Sequence, residues 1–174
     1  MQAKPFLVFA LPRSRTLWLS NALTYGPAVC HHDLCVYGVA ELERVITSGT
    51  CVGVADTGII ILLEQMRFQI YPAVAVHRDP AEVYASLRRL GVETTLESLT
   101  ERAQKLRELE RYWEGPVLHV EYEDVDRSGE RIWNHCIGEG FDSQRWERLC
   151  DMKVEVFIDR ELEKFRERKW LSHT

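Results

Sequence analysis

Short, nearly continuous apolar runs alternate with longer stretches of mixed polarity along this chain. Residues 5–10 form the first run, and residues 28–32, 51–55, 73–77 and 117–120 repeat it at intervals. Each is too short for a stable helix and carries β-branched or aromatic residues, so each is expected to be a strand; 28–32, with two histidines, has the weakest pattern. The segments between them, about 16–25, 37–47, 58–70, 80–90 and 95–113, place apolar residues three and four apart, which predicts helices. Gly26-Pro27 and Gly49 stand where the first two should stop. Pro80 falls in the first turn of the fourth, a position where its missing N–H costs nothing. The remainder also reads as helical, the last helix running from about 159 to 168.

Strands that are apolar on both faces must be covered on both faces. Five of them separated by helices therefore predict an α/β fold, a three-layer α/β/α sandwich around a five-stranded parallel sheet. With 174 residues and no linker or repeat, a single domain over 1–174 is expected, with a motif-bearing core at about 5–125 and C-terminal helices over 126–174.

A formal net charge of −5 argues against binding to nucleic acid or to an anionic membrane, both of which need basic surfaces. Any anion must then meet a local cluster of cations and donors. The five cysteines are odd in number and include no Cys-x-x-Cys pair. They read as reduced thiols in a reducing, cytoplasmic compartment. His31 and His32 between Cys30 and Cys35 fall short of a zinc set, so no metal is expected. The run 6–11 is too short for a signal peptide or a membrane span, and no stretch reaches about 18 apolar residues.

In open parallel sheets, ligands sit beyond the carboxyl ends of the strands. After the first strand comes Leu11-Pro12-Arg13-Ser14-Arg15-Thr16-Leu17-Trp18, leading into a helix. The free N–H groups and dipole of a helix N-terminus favour an anion there, and Arg13, Ser14 and Thr16 add a cation and hydroxyl donors. The segment lacks glycine and the G-x-x-x-x-G-K-[ST] pattern, so a Walker-type ATPase or kinase is the weaker alternative. Taken alone, Ser14 or Thr16 could equally be a plain helix cap beside solvated arginines. After the fourth strand comes His77-Arg78-Asp79-Pro80, with Ser86 eight residues beyond Arg78. Arg78 there suits bidentate phosphate recognition; the alternative is an Arg78–Asp79 ion pair.

Together the two segments resemble the phosphate-binding motifs of the PAPS-dependent sulfotransferase family, whose fold is P-loop-NTPase-like. Pro12-Arg13-Ser14 and Thr16 match its first motif, and Arg78-Asp79-Pro80 with Ser86 matches its second. Residues 117–124, ending Tyr122-Glu123-Asp124, resemble a later strand and acidic stretch of the family. The resemblance implies a sulfotransferase using 3′-phosphoadenosine 5′-phosphosulfate (PAPS; product PAP) as co-substrate, without a metal. The sulfuryl group would pass to a hydroxyl or amine acceptor of unidentified kind.

The resemblance also implies roles. Arg13 would contact the transferred group, and the backbone of Ser14, Arg15, Thr16 and Leu17 would hold the 5′-phosphate. Arg78 and Ser86 would hold the 3′-phosphate. Trp18 resembles an aromatic that packs against adenine; a core tryptophan is the alternative. For the base that takes the acceptor proton, Asp56 at the end of the third strand is preferred, with His32 (or His31) second; Asp56 as a helix cap is the alternative. This chain departs from the pattern in three places. Arg15 stands in place of a glycine, Leu17 in place of a threonine, and the family's C-terminal basic loop is missing, with Arg166, Arg168 and Lys169 as weak substitutes. These departures keep open a non-catalytic nucleotide-binding or assembly protein on the same fold.

Overall fold

The computed structural model describes residues 5–48, 52–62, 70–138 and 140–152. Five strands, β1 (Phe6–Ala10), β2 (Val29–His32), β3 (Val52–Asp56), β4 (Ala73–His77) and β5 (Val117–Glu121), build one sheet in the order β2-β3-β1-β4-β5. All four pairings are parallel. Among the described residues seven α-helices connect and follow them: α1 (Thr16–Leu23), α2 (Val39–Ile46), α3 (Ile59–Leu62), α4 (Pro80–Arg89), α5 (Leu96–Tyr112), α6 (Gly129–Cys136) and α7 (Ser143–Asp151).

The side-chain alternation of β1 explains the three layers. Leu7 and Phe9 face one side, where α2, α3, α4 and α5 bury Leu42, Ile46, Ile59, Val83, Leu106 and Leu109. Phe6, Val8 and Ala10 face the other, against α1, α6 and α7 with Leu19, Ile132, Trp133 and Trp146. Every residue of β1 is fully buried, as a central parallel strand with helices on both faces requires. Gly53 of β3 sits beside Phe6. A Cβ there would lie 2.1 Å from the Phe6 ring, so only glycine lets the aromatic fill that face.

The expected α/β/α sandwich is therefore the observed architecture. Strand bounds agree with the sequence pattern to within two residues. The helix expected over 58–70 is seen as Ile59–Leu62, and 63–69 lie outside the described residues; so does the expected helix at 159–168. Among the described residues no helix is long and apolar enough to cross a membrane.

The strand order fixes where the crevice lies. From β1 the chain moves to one side for β2 and β3, then crosses to the other side for β4 and β5. Such a reversal leaves a crevice beyond the carboxyl ends of β1 and β4. The 11–18 loop leaves β1 at that point, and Arg78 leaves β4 beside it.

Candidate functional site

The loop after β1 is held in an unusual backbone conformation. Arg13 and Arg15 both have positive φ, 63° and 65°. Non-glycine residues adopt this left-handed region at a cost of roughly 1–2 kcal/mol each, so the surrounding contacts must hold the loop in place. Arg15 occupies the N-cap of α1, and no side chain caps that helix. The N–H groups of its first turn thus have no capping side chain, and the turn carries no acidic residue.

Two segments far apart in sequence close on this loop. The Arg13 Nε donates to Ser86 Oγ at 3.3 Å, across 73 residues. The Arg78 guanidinium donates through Nη1 to the Arg13 carbonyl oxygen. Arg78 also pairs with Glu82 at 3.3 Å and stacks 3.9 Å over the Tyr122 ring. Asp79 makes no pair with Arg78; it caps α4 by accepting from the Ala81 N–H at 2.8 Å. Arg13, Ser86 and Arg78 therefore lie together at the crevice.

Arg15 takes a different set of partners. Its guanidinium forms a two-armed ion pair with Asp126, the second arm at 3.2 Å, and lies 5.6 Å from the Trp18 ring and 5.4 Å from the Tyr122 ring. Partial burial opposes the Arg15 charge, but the hydrogen bond and charge of Asp126 outweigh it and raise its pKa. For Asp126, burial likewise works against ionisation, yet Arg15 and the Cys150 thiol bring its pKa below the usual carboxylate value. This pair anchors a strained residue where glycine would need no anchor.

Ser14 is fully buried, and its hydroxyl has no hydrogen-bond partner. An orphaned buried hydroxyl costs free energy, so its presence in an anion-type loop points to a ligand. Thr16 Oγ1 lies 3.1 Å from His32 Nε2, and His32 Nδ1 lies 3.0 Å from Asp33. His32 thus reaches the loop from the end of β2.

Three residues have structural partners; for Trp18 this agrees with the core alternative, and for Asp56 the role is structural, as its alternative had it, though with partners on two segments. Asp56 is buried, and both its oxygens accept backbone N–H groups at 2.7 Å, from Cys35 and from Gly58. It ties β3 to the 3₁₀ turn Leu34–Tyr37. Trp18 is buried with its ring edge-on to Trp146 at 4.9 Å and its indole donating to the Leu149 carbonyl at 2.9 Å. Leu17 is half-buried, and its carbonyl accepts from Ser20 and Asn21. Arg166, Arg168 and Lys169 lie outside the described residues.

A second cluster was missed in sequence. His77 at the end of β4, His119 of β5 and Glu110 of α5 bring their ligand atoms within 4.8 Å of one another, a grouping the sequence pattern did not single out. Burial disfavours the His77 charge less than the Glu110 hydrogen bond favours it, so the imidazole's pKa is raised. Parallel β4–β5 register was the information needed to find it: His119 pairs with Ala75, which sets it on the same sheet face as His77. By contrast, Cys30, His31, His32 and Cys35 form no such cluster; Cys30 is buried, and burial raises the pKa of both thiols.

No protein-family model matches the chain, and no curated protein matches it in sequence. Among solved structures, the crystal structure of mouse sulfotransferase SULT7A1 complexed with PAP superimposes with a TM-score of 0.53 at 14% identity. The fold is sulfotransferase-like. The match covers 84% of this chain and 63% of that one, so this chain spans under two thirds of that neighbour's length.

Proposed function

We propose that this chain binds PAPS in the crevice between β1 and β4 and transfers its sulfuryl group to a hydroxyl or amine acceptor. The observation that carries the reading is the meeting of Arg13, Ser86 and Arg78 beside the uncapped N-terminus of α1. The residues present suit such a donor. Ser14 has a buried hydroxyl to give, the first turn of α1 offers N–H groups, and two arginines stand within reach of one another. The PAP carried by the sulfotransferase neighbour supports the same donor class.

In this reading the 11–18 loop and α1 hold the 5′-phosphate, and Arg78 with Ser86 holds the 3′-phosphate. PAPS supplies an activated sulfuryl group. The acceptor oxygen or nitrogen bonds to sulfur as the sulfur–oxygen bond to the 5′-phosphate breaks, and Arg13 stabilises the charge that collects on the departing bisphosphate. Arg13 acts by charge alone, because a guanidinium does not give up its proton in this range. The acceptor proton needs a base. His32 suits that role better than Asp56, whose two oxygens already receive backbone N–H groups. The same engagement of Asp56 favours a second reading in which the site binds nucleotide without transfer.

Transfer of labelled sulfur from PAPS to a panel of phenols, alcohols and amines separates the two. Sulfotransferase chemistry predicts turnover that falls by roughly 10²–10⁴-fold in His32→Ala. PAP binding without label transfer to any acceptor would establish the second reading in its place.

A further inference from the structure

The face of the sheet opposite α1 carries a constellation that the nucleotide reading does not use. His77 ends β4, His119 lies on the neighbouring β5, and Glu110 reaches across from the last turns of α5. The Glu110 carboxylate bridges the two rings: Oε1 lies 2.7 Å from His77 Nε2, and Oε2 lies 3.2 Å from His119 Nδ1. The imidazoles stack almost parallel, 14° apart with centroids 6.0 Å from each other. The Glu110 side chain is only 10% exposed, against 59% for His119.

A carboxylate taken out of water between two imidazoles needs positive charge close by. Either a proton on a ring or a metal ion can supply it. The donor atoms favour the second. Two histidine nitrogens and one carboxylate form the three-ligand set of open zinc sites and of two-histidine-one-carboxylate centres. Ligand atoms sharing a tetrahedral ion at about 2.1 Å stand about 3.4 Å apart. The His119–Glu110 separation of 3.2 Å is close to that. The His77–Glu110 contact at 2.7 Å is at hydrogen-bond distance and has to open as the metal replaces the proton between them. The mostly exposed His119 ring has room to close the remaining gap.

We propose that His77, Glu110 and His119 form a binding site for a divalent transition-metal ion of the zinc class. The site opens into a cavity of about 880 Å³ lined by Arg78, Arg107 and Arg111 and also by Asp79 and Glu121. A three-ligand site leaves a coordination position free for water or another small ligand entering from that cavity. The metal joins β4, β5 and α5 at the rim of the crevice, one residue from Arg78. The site stands independently of the PAPS reading, because none of its three ligands is assigned a contact with the nucleotide, although His77 adjoins Arg78 in the second phosphate segment.

The test is titration of the full chain, free of any histidine tag, with Zn²⁺ by calorimetry and with Co²⁺ by visible absorption. Expected is one equivalent of either ion, with Co²⁺ giving the intense bands of a four- or five-coordinate site. His119→Ala, at the most exposed ligand, and Glu110→Gln, which keeps the shape of the side chain, should each weaken binding at least 10–100-fold. His31→Ala controls for stray binding by other histidines and should leave the affinity for either ion unchanged. Failure to bind either ion, or binding equally tight in His119→Ala and Glu110→Gln with folding intact by circular dichroism, would overturn the proposal. The PAPS reading would survive that outcome.

Discussion

Replacing Ser14 by alanine should make the free protein more stable and the nucleotide-bound protein weaker. The Ser14 side chain is fully buried and its hydroxyl is unpartnered. Leaving such a group without a hydrogen bond costs about 1–3 kcal/mol, and removing one oxygen opens too small a void to offset much of that. Ser14→Ala should therefore gain about 1–2 kcal/mol, which for a chain of this size raises the melting temperature by roughly 2–8 °C. Binding should move the other way. A hydrogen bond to a charged phosphate contributes about 1.5–3 kcal/mol, so affinity for PAP should fall roughly 10- to 150-fold. Scanning calorimetry on the free variant and isothermal titration with PAP measure the two terms separately. A variant that is destabilised, or that binds PAP as tightly as the parent, would refute the assignment of this hydroxyl to a ligand.

Other consequences follow from the same geometry. Arg15→Gly should relieve the positive-φ cost but lose the Asp126 pair, leaving stability within about 1 kcal/mol of the parent by denaturant melt; a loss above about 3 kcal/mol would mean the anchor matters more than the strain. The Asp126–Arg15 pair lowers the Asp126 pKa, so its stabilisation is present above the ordinary value of 3.8 and is lost as pH falls through the lower folded value. With Asp126 42% exposed, solvent screening limits this to about 0.2–1 kcal/mol. The stability gap between parent and Asp126→Asn should accordingly stay level from pH 8 to 5 and shrink below about pH 4. Asp56→Ala orphans two buried N–H groups and should cost about 2–4 kcal/mol in urea melts, whatever it does to turnover. Gly53→Ala drives a methyl into Phe6 and should cost about 1–3 kcal/mol or more by the same melts.

The sheet was legible because a strand covered on both faces is apolar at nearly every position, and β1, β3 and β4 are. That a ligand site lies beyond the carboxyl ends of the strands was legible from the parallel pattern, whereas the crevice between β1 and β4 needed the strand order, and the pairing of the two phosphate segments came from the family resemblance. Long-range partners were not legible. Trp18 finds Trp146, Arg15 finds Asp126, and Asp56 finds the Cys35 N–H, contacts that no local pattern encodes. Left-handed backbone at Arg15 was hidden for a related reason: sequence propensity places glycine there, and only the Asp126 anchor accounts for an arginine. The His77–Glu110–His119 cluster needs the β4–β5 register and the inner face of α5 at once.

The most direct test of the account is calorimetric titration of the parent and of Arg78→Ala with adenosine 3′,5′-bisphosphate and with adenosine 5′-monophosphate. Arg78 and Ser86 as the 3′-phosphate site predict that the parent prefers the bisphosphate at least tenfold, a preference that Arg78→Ala erases. Equal affinity of the parent for both nucleotides, no binding of either, or a bisphosphate preference undiminished in Arg78→Ala would contradict it.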